Sequence, residues 1–495
     1  MAILDRFRRK RKKDIKKRNY AFKGAGTGNH FADFLSSSNS ANAEIRPNLE
    51  ILRNRCRALS RNNDYAKRYL NLLVTNIVGD KGIRYQSKAR GTDGKLDILN
   101  TDLEKRFNKW CKKQYCTMSG TMSFREAQSV MIESLARDGE LLVELVTVDN
   151  EFGFAIKLIE ADHLDHNYNE KLENGNTVYM GIEFDEYDRP VNYHVLKNHP
   201  HEDATFKNRK KIRRIIPAKD LLHIYMKDRP SQVRGYPLMS SVVERLHNLD
   251  SFEHSAVINA KISASKMGFF TMPQGGDDYV GEDYENEFQP VMDATPGSFE
   301  TLPEGYDIRT VDWQYPNTNF ESFHKQVLRG IASGLNVDYV SLANDLTGVS
   351  YSSIRQGTMA ERDHYRVLQA FMVEHFVTPI FERWLMTLML QDNSFLDYRD
   401  DRFEKFSDSA TWIPRAFHYV DPQREIQANI NALNNGLISM QDVQNTYGRD
   451  LEEVFDQIDR EKQLAKDKGI DTAFEPFGNK SPVAPQVNGE ENESE

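Results

Sequence analysis

The stretch Val349–Gln391, VSYSSIRQGTMAERDHYRVLQAFMVEHFVTPIFERWLMTLMLQ, sets the scale of the fold. From Ser353 to Gln391 it reads as one very long helix with Pro379 inside it. Proline removes a backbone donor and its ring clashes with the carbonyl four residues back, so a kink is expected near His375. Just before it, Ser341–Ser352 is a polar loop. The serines of Tyr351-Ser352-Ser353 have no base close in sequence, and a helix N-cap is the role expected of one of them.

Upstream of that loop a helix is expected over Asn319–Leu335, with Phe320, Phe323, Val327 and Ile331 as its apolar stripe. Glu321, Lys325 and Arg329 stand four apart on another face, as a solvated ion-pair ladder or as a basic row facing a channel. Residues 269–316 are irregular, acidic and rich in Gly and Pro. Before them, 238–268 is helical without proline. Val242, Leu246, Leu249 and Phe252 give it one apolar face, and Ser255, Ala256, Ala260, Ser263 and Ala264 allow close helix approach.

Residues 139–225 have a different period. Leu141–Val148, Ala155–Ile159, Val178–Phe184 and Val191–Leu196 are strand candidates, with turn residues Asp185–Pro190 between the last two. In the third, Val178, Met180, Ile182 and Phe184 alternate with Tyr179, Gly181 and Glu183, as a half-buried antiparallel strand requires. The fold class is α+β with a mostly antiparallel sheet. Helices precede it: Leu49, Leu52, Cys56 and Leu59 recur at helical spacing, as do Tyr65, Tyr69, Leu72 and Leu73, before a break at Val78–Gly82. Further helices are expected over Asp97–Trp110 and Ser123–Arg137, the latter opened by a capping box of Ser123 and Glu126. Beyond the long helix come a link, Asp392–Arg415, and shorter helices to about Lys468.

The chain has 495 residues, 39% hydrophobic and 28% charged, enough for about three domains and too ordered in composition for global disorder. Its net charge is -9, but Met1–Arg18 holds ten basic and two acidic residues, a net +8 that leaves -17 for the rest. Such a head suits an arm that contacts nucleic acid or an acidic partner. Cys56, Cys111 and Cys116 form neither a disulfide framework nor a zinc motif. The longest apolar run, Trp384–Leu390, is too short to span a bilayer, and no membrane association is expected. The Gly24–Gly28 triplet lacks a preceding strand and a following Gly-Lys-Ser/Thr, so no nucleotide site is expected there. Asp162, His163, Asp165 and His166 are dense in titratable groups but match no strong metal spacing. No hydrolase, zincin or Walker motif occurs, so neither a catalytic residue nor a cofactor is assigned.

Ordered segments carry a resemblance. They are RCRALSRNNDYAKRYLNLLVTNIVG (Arg55–Gly79), DGELLV (Asp138–Val143), LIEADHL (Leu158–Leu164), GIEFDEYDRPVNYH (Gly181–His194), QVRGYP (Gln232–Pro237), PGSFETLPEG (Pro296–Gly305), RGIASGL (Arg329–Leu335), VSYSSIR (Val349–Arg355), VDPQRE (Val420–Glu425) and NGL (Asn435–Leu437). In this order, from about Arg46 to Gly469, the chain resembles the lambda-like family of phage portal proteins.

The resemblance implies a ring of subunits, a dodecamer, around an axial channel for double-stranded DNA at one capsid vertex. On that plan 1–45 is a basic disordered arm and 46–237 an α+β wing. Stem helix 1 is 238–268, the clip 269–316 and stem helix 2 317–340. The tunnel loop is 341–352, the kinked wing helix 353–391, the α-helical crown 392–472 and a disordered acidic tail 473–495. Implied partners are the terminase large subunit, the major capsid and scaffold proteins, and head-completion or tail-connector proteins. The place is the virion after assembly in the host bacterial cytoplasm. Lys261, Lys266, Lys325 and Arg329 are expected as weak basic rings, and Asn344–Ser350, with Asp345, Thr347 and Ser350, as a loop reaching towards DNA. The rival readings are a minor head protein that forms no closed ring and a DNA-processing enzyme.

Overall fold

The computed structural model describes residues 38–469 except 92–93, 95, 203–211, 265–267, 272–306, 311–319, 392–401, 418–420, 448 and 450. The Arg6–Arg18 arm, Lys266, most of the clip and the acidic tail therefore lie outside the described residues. Residues 41–45, read as part of the arm, are helical: α1 (Ala41–Asn62) opens on Ser40, whose side chain accepts from the Ala43 amide. Asn42 is buried and anchored by the Ser231 carbonyl and the Val233 amide.

After α2 (Asp64–Leu73) the chain passes through a π-turn at Val74–Val78, stopped by Gly79 at φ 70°. Strand β1 (Arg84–Ser87), α3 (Leu99–Trp110), the short α4 (Lys113–Cys116) and α5 (Phe124–Arg137) follow. Ser123 and Glu126 form the expected capping box: the Glu126 side chain accepts from the Ser123 amide at 2.7 Å. Strands β2 (Glu140–Thr147) and β3 (Phe154–Ile159) come next, then β4 (Glu170–Lys171), β5 (Thr177–Tyr179), β6 (Ile182–Phe184), β7 (Pro190–Leu196), β8 (Arg213–Pro217) and β9 (Leu221–Tyr225). They make an antiparallel three-stranded sheet, β3-β2-β9, and an antiparallel five-stranded sheet, β4-β5-β6-β7-β8. The architecture is α+β with antiparallel sheets.

The single strand expected over Val178–Phe184 is two. Met180 and Gly181 take φ 51° and 85°, the left-handed pair of a tight hairpin turn, and Tyr179 faces Ile182 across it. The alternating pattern misled because Met180 is fully buried despite sitting in the turn. Its amide donates to Asn169 Oδ1 at 2.9 Å and its carbonyl accepts from Arg234, which holds a side chain in a conformation glycine would prefer.

A 3₁₀ turn, Leu238–Val242, leads into α6 (Val243–Ala264), and Gly268, expected as the end of that helix, belongs to a strand instead. Strand β10 (Gly268–Thr271) pairs antiparallel with β11 (Asp307–Thr310), joining the two feet of the stretch read as irregular. Next come α7 (Phe320–Leu335), α8 (Tyr339–Ala343) and α9 (Tyr351–Met372). The expected kink takes the form of a π-turn, Val373–Val377, before α10 (Thr378–Gln391). Pro379 cannot donate to the carbonyl of His375, and the wider turn absorbs that lost bond. The expected link contains α11 (Arg402–Asp408) and β12 (Ala410–Ile413), and β12 pairs with β1, Arg84 opposite Ile413. Helices α12 (Pro422–Asn434), α13 (Met440–Thr446) and α14 (Leu451–Asp467) close the described chain.

The main core is aromatic. Phe107, Trp110, Phe124, Phe376, Phe381 and Trp384 pack between α3, α5 and the long helix, and Trp110 Nε1 donates to the Phe154 carbonyl at 3.0 Å. Buried Gln369 on α9 donates to the carbonyls of Asn76, Ile77 and Arg415, tying the long helix to the first π-turn and to the segment after β12. A smaller core of Leu142, Ile159, Ile182, Tyr193, Val195 and Ile216 lies between the two sheets. Among the described residues no helix is long and apolar enough to cross a membrane.

Candidate functional site

The residues expected near a channel lie on α7 and in the loop between α8 and α9. On α7 the buried face is Leu328, Ile331, Ala332 and Leu335, so of the expected stripe Ile331 is buried and Val327 packs against the core, while Phe320 and Phe323 lie outside it. Phe323 is exposed, and Phe320 and Phe323 meet Phe252 of α6 at 5.4 and 5.1 Å between rings. Gly334 lies against Val242, where an added Cβ would approach to 2.5 Å, so glycine permits this helix crossing.

Lys325 is not a free charge. Its ammonium pairs with Glu321 at 2.7 Å on its own helix and with Asp345 at 3.1 Å in the loop, and donates to Thr347 Oγ1 at 3.0 Å. Asp345 is the hub of the loop. It accepts from the Thr347 hydroxyl at 2.5 Å, the Thr347 amide at 2.9 Å and the Tyr339 hydroxyl at 2.9 Å. The Arg329 guanidinium stands 5.4 Å from the Tyr339 ring. The Thr347 hydroxyl and amide, then Tyr339 and Lys325, hold the Asp345 carboxyl far below the usual carboxylate range. Glu321 and Asp345 in turn raise Lys325.

Asn344 ends α8 in the left-handed region at φ 54°, Gly348 turns the loop at φ 69°, and Ser350 caps α9 by accepting from the Ser353 amide. The N-cap is thus Ser350 rather than one of the serines of Tyr351-Ser352-Ser353, which sit in the first turn of α9, and the loop expected over 341–352 is confined to 344–350. Leu346 at the tip is 66% exposed. Lys261 is exposed on the last turns of α6. The structure thus brings Lys325, Arg329, Asp345 and Thr347 together; Asn344 and Ser350 bound the loop they anchor.

A second assembly, unseen in the sequence, joins the family-like segments. Glu140 is 0% exposed and accepts from four groups. Arg53 Nη2 donates at 2.6 Å, Arg234 Nε at 2.9 Å, His223 Nε2 at 3.0 Å and the Gly235 amide at 2.9 Å. Burial alone would raise the Glu140 carboxyl, but Arg234 and Arg53 outweigh it and hold it well below the usual range. Burial lowers His223, so its neutral ring donates to an ionised carboxylate. Arg53 also donates to the Asp138 carbonyl, and Arg57 bridges the Asp138 and Asp162 carboxylates. Gly139 and Gly235 touch back to back: a Cβ on Gly235 would lie 2.1 Å from the Gly139 carbonyl oxygen. The one signal for this junction was a charge set inside each short apolar segment, in DGELLV and QVRGYP.

The titratable cluster after β3 disperses. Asp162 turns to Arg57, His163 Nδ1 to the Leu196 carbonyl, Asp165 to Arg213 and His166 towards Glu50. A different trio gathers, Glu160, Asp162 and His199, with His199 Nε2 3.6 Å from Glu160. His199 Nδ1 accepts from the His201 amide at 3.2 Å, which leaves Nε2 facing the two carboxylates.

The family model described as "Phage portal protein, lambda family" matches residues 27–369. The "Probable portal protein" of Halomonas phage phiHAP-1 is 34% identical over 460 residues, covering 92% of this chain and 86% of that protein. The portal protein of Escherichia phage N15 is 22% identical, covering 90% of each chain. "Portal protein B" of Escherichia phage lambda is 20% identical, again with 90% of each chain covered. Among solved structures, a chain from the neck of a native gene transfer agent particle computed with C12 symmetry aligns at a TM-score of 0.39 and 13% identity, covering 78% of this chain and 91% of that one.

Proposed function

The chain belongs to the lambda family of phage portal proteins, and from that premise we propose that it forms the ring at one capsid vertex through which double-stranded DNA is packaged and ejected. The observation that carries the reading is the family match over 27–369 together with the relative at 34% identity. The family is structural, and this chain is a virion component and not an enzyme.

The finer assignments follow the same plan. Helices α6 and α7 are the stem, the insertion between β10 and β11 is the clip that docks the terminase large subunit and later the head-completion and tail-connector proteins, and twelve copies close the ring. The wing meets major capsid and scaffold proteins, and assembly takes place in the host cytoplasm. The loop Asn344–Ser350, carrying Asp345, Thr347 and Ser350, faces DNA, with Lys261 and Lys266 on the stem as weak basic rings.

A channel must centre DNA without gripping it. Each Lys or Arg that neutralises a phosphate adds sequence-independent, salt-sensitive affinity that resists sliding. Lys325, partnered by Glu321 and Asp345, is a muted cation, and Arg329 is engaged on Tyr339. Both act chiefly by holding the loop, while Leu346, Thr347 and Gly348 offer DNA a nearly neutral edge.

Negative-stain electron microscopy with mass measurement on the same sample tests the reading. Rings with a central hole and a mass near twelve subunits are expected. A monomer that cleaves DNA would overturn it.

A further inference from the structure

One cleft belongs neither to the loop nor to the buried junction. It runs between the long helix and α13, lined among others by Arg366, Val373, Trp412, Arg415, Asn445 and Thr446. Three guanidiniums converge there on a single ring: Arg362, Arg366 and Arg415 stand 5.4, 5.9 and 5.8 Å from the centroid of Phe417. Their partners leave the cationic character in place. Arg415 donates to two neutral oxygens, the Thr75 carbonyl and Asn76 Oδ1. Arg366 pairs with the exposed Asp363 at 2.7 Å. Arg362 has Glu425 and Glu361 near it, but Glu425 also lies 3.8 Å from Arg355, and Glu361 accepts from Ser341 and Tyr365. Asp442, the acid lining the cleft, accepts from the amide and hydroxyl of Ser439 as a helix cap. Like charges held this close to an aromatic face favour an anionic occupant, and guanidinium forks match carboxylates two bonds at a time.

We propose that the occupant is the chain's own acidic C-terminal segment, residues 470–495. Its sequence holds Asp471, Glu475, Glu490, Glu491, Glu493 and Glu495 against a single lysine, Lys480. It leaves from α14, which packs on α13, and α13 supplies Asn445 and Thr446 to the cleft wall. The stretch from Ile470 to Gly489 spans up to about 66 Å when extended, ample to bring the last glutamates to the arginines. The shape favours a peptide over DNA. An extended chain fits between two helices, whereas a duplex carries its phosphates on a rigid convex cylinder. Docked there, the segment clamps α13 to the long helix and masks arginines that would otherwise attract nucleic acid.

The full-length chain with Ser494→Cys, labelled with a maleimide fluorophore, tests this by fluorescence anisotropy. The native thiols do not compete: Cys56 and Cys116 are buried, and burial raises all three, Cys56 to about 12. An immobilised label is expected. Glu490→Lys with Glu491→Lys and Glu493→Lys, which leave the folded body untouched, should drop its anisotropy to that of a free labelled peptide of residues 470–495. Arg366→Glu, at an exposed position, should do the same, as should raised salt. A label equally mobile in the parent and the tail variant overturns the proposal, and so does one that stays immobilised in both variants. If duplex DNA binds through Arg362 and Arg366 while the label is mobile in the parent, the cleft serves nucleic acid and the tail assignment falls. Ring assembly, read separately by microscopy, is expected in every variant, so failure here leaves the portal reading standing.

Discussion

Glu140 and Asp345 each gather cations and neutral donors around one carboxylate, yet they sit in opposite surroundings. Around Glu140 the partners come from α1, β9 and the segment before α6, and solvent has no access. Around Asp345 they come from the loop itself and from one face of α7 and α8, and solvent reaches all of them. In the first case a lost partner leaves a charge buried without compensation; in the second, water replaces it. The same chemistry therefore makes a fixed joint in the body and a releasable anchor in the loop. The proposed function would use that division, with rigid walls and a thin edge that adjusts to DNA.

The sharpest test removes one charge from the joint. Glu140→Gln should cost about 3–5 kcal/mol of unfolding free energy, because Arg53 and Arg234 stay buried beside a neutral group; chemical denaturation measures it. Gly139→Ala should be comparably damaging through backbone contact, since its Cβ would come within 2.2 Å of the Tyr236 carbonyl carbon at φ 88°. Asp345→Ala should instead leave global stability nearly unchanged, as the loss of an exposed pair does. Its signature is faster proteolysis and hydrogen exchange confined to 344–350. If Asp345→Ala unfolds the protein as readily as Glu140→Gln, the contrast between joint and anchor is wrong.

Acid should act on the joint first. His223 is depressed in the fold, so below its ordinary value, about 6.5, the unfolded chain takes up a proton that the folded chain refuses. Stability should therefore fall as pH drops below that point, and His223→Gln should flatten this part of the curve. Glu140 adds to the loss lower down, its contribution present above about 4.3 and disappearing as pH falls towards its depressed folded value. Asp345, also depressed, keeps the loop anchored through the ordinary carboxylate range, so loop proteolysis should rise only in strong acid. The smallest effect expected is from salt: raising it should loosen the loop slightly and leave the joint unchanged.

What could be read from the sequence followed from local rules. The capping box at Ser123, the strands β2, β3 and β7, and the helical break near Pro379 each rest on residues within a few positions of one another. What escaped depends on contacts far apart in the chain. β1 and β12 pair across more than three hundred residues, and neither is long enough to announce itself. The hairpin at Met180 was hidden by a buried turn residue that kept the apolar alternation going. Among the site residues, Lys325 stood out by its ladder with Glu321, but its loop partner Asp345 is twenty positions away and left no local signal. The Glu140 junction was legible only as charges in apolar company, a pattern that says something must pair with them but not what.

The β10–β11 ladder holds Gly268 opposite Thr310, so the two ends of the insertion start side by side. For chain topology this makes the body indifferent to the insertion's length, because a loop whose ends are already clasped adds closure entropy only logarithmically as it grows. A lineage, or an engineer, could therefore lengthen, shorten or exchange residues 272–306 as a cassette while the clasp keeps the framework in register. Change in the insertion would then be decoupled from change in what keeps the body folded.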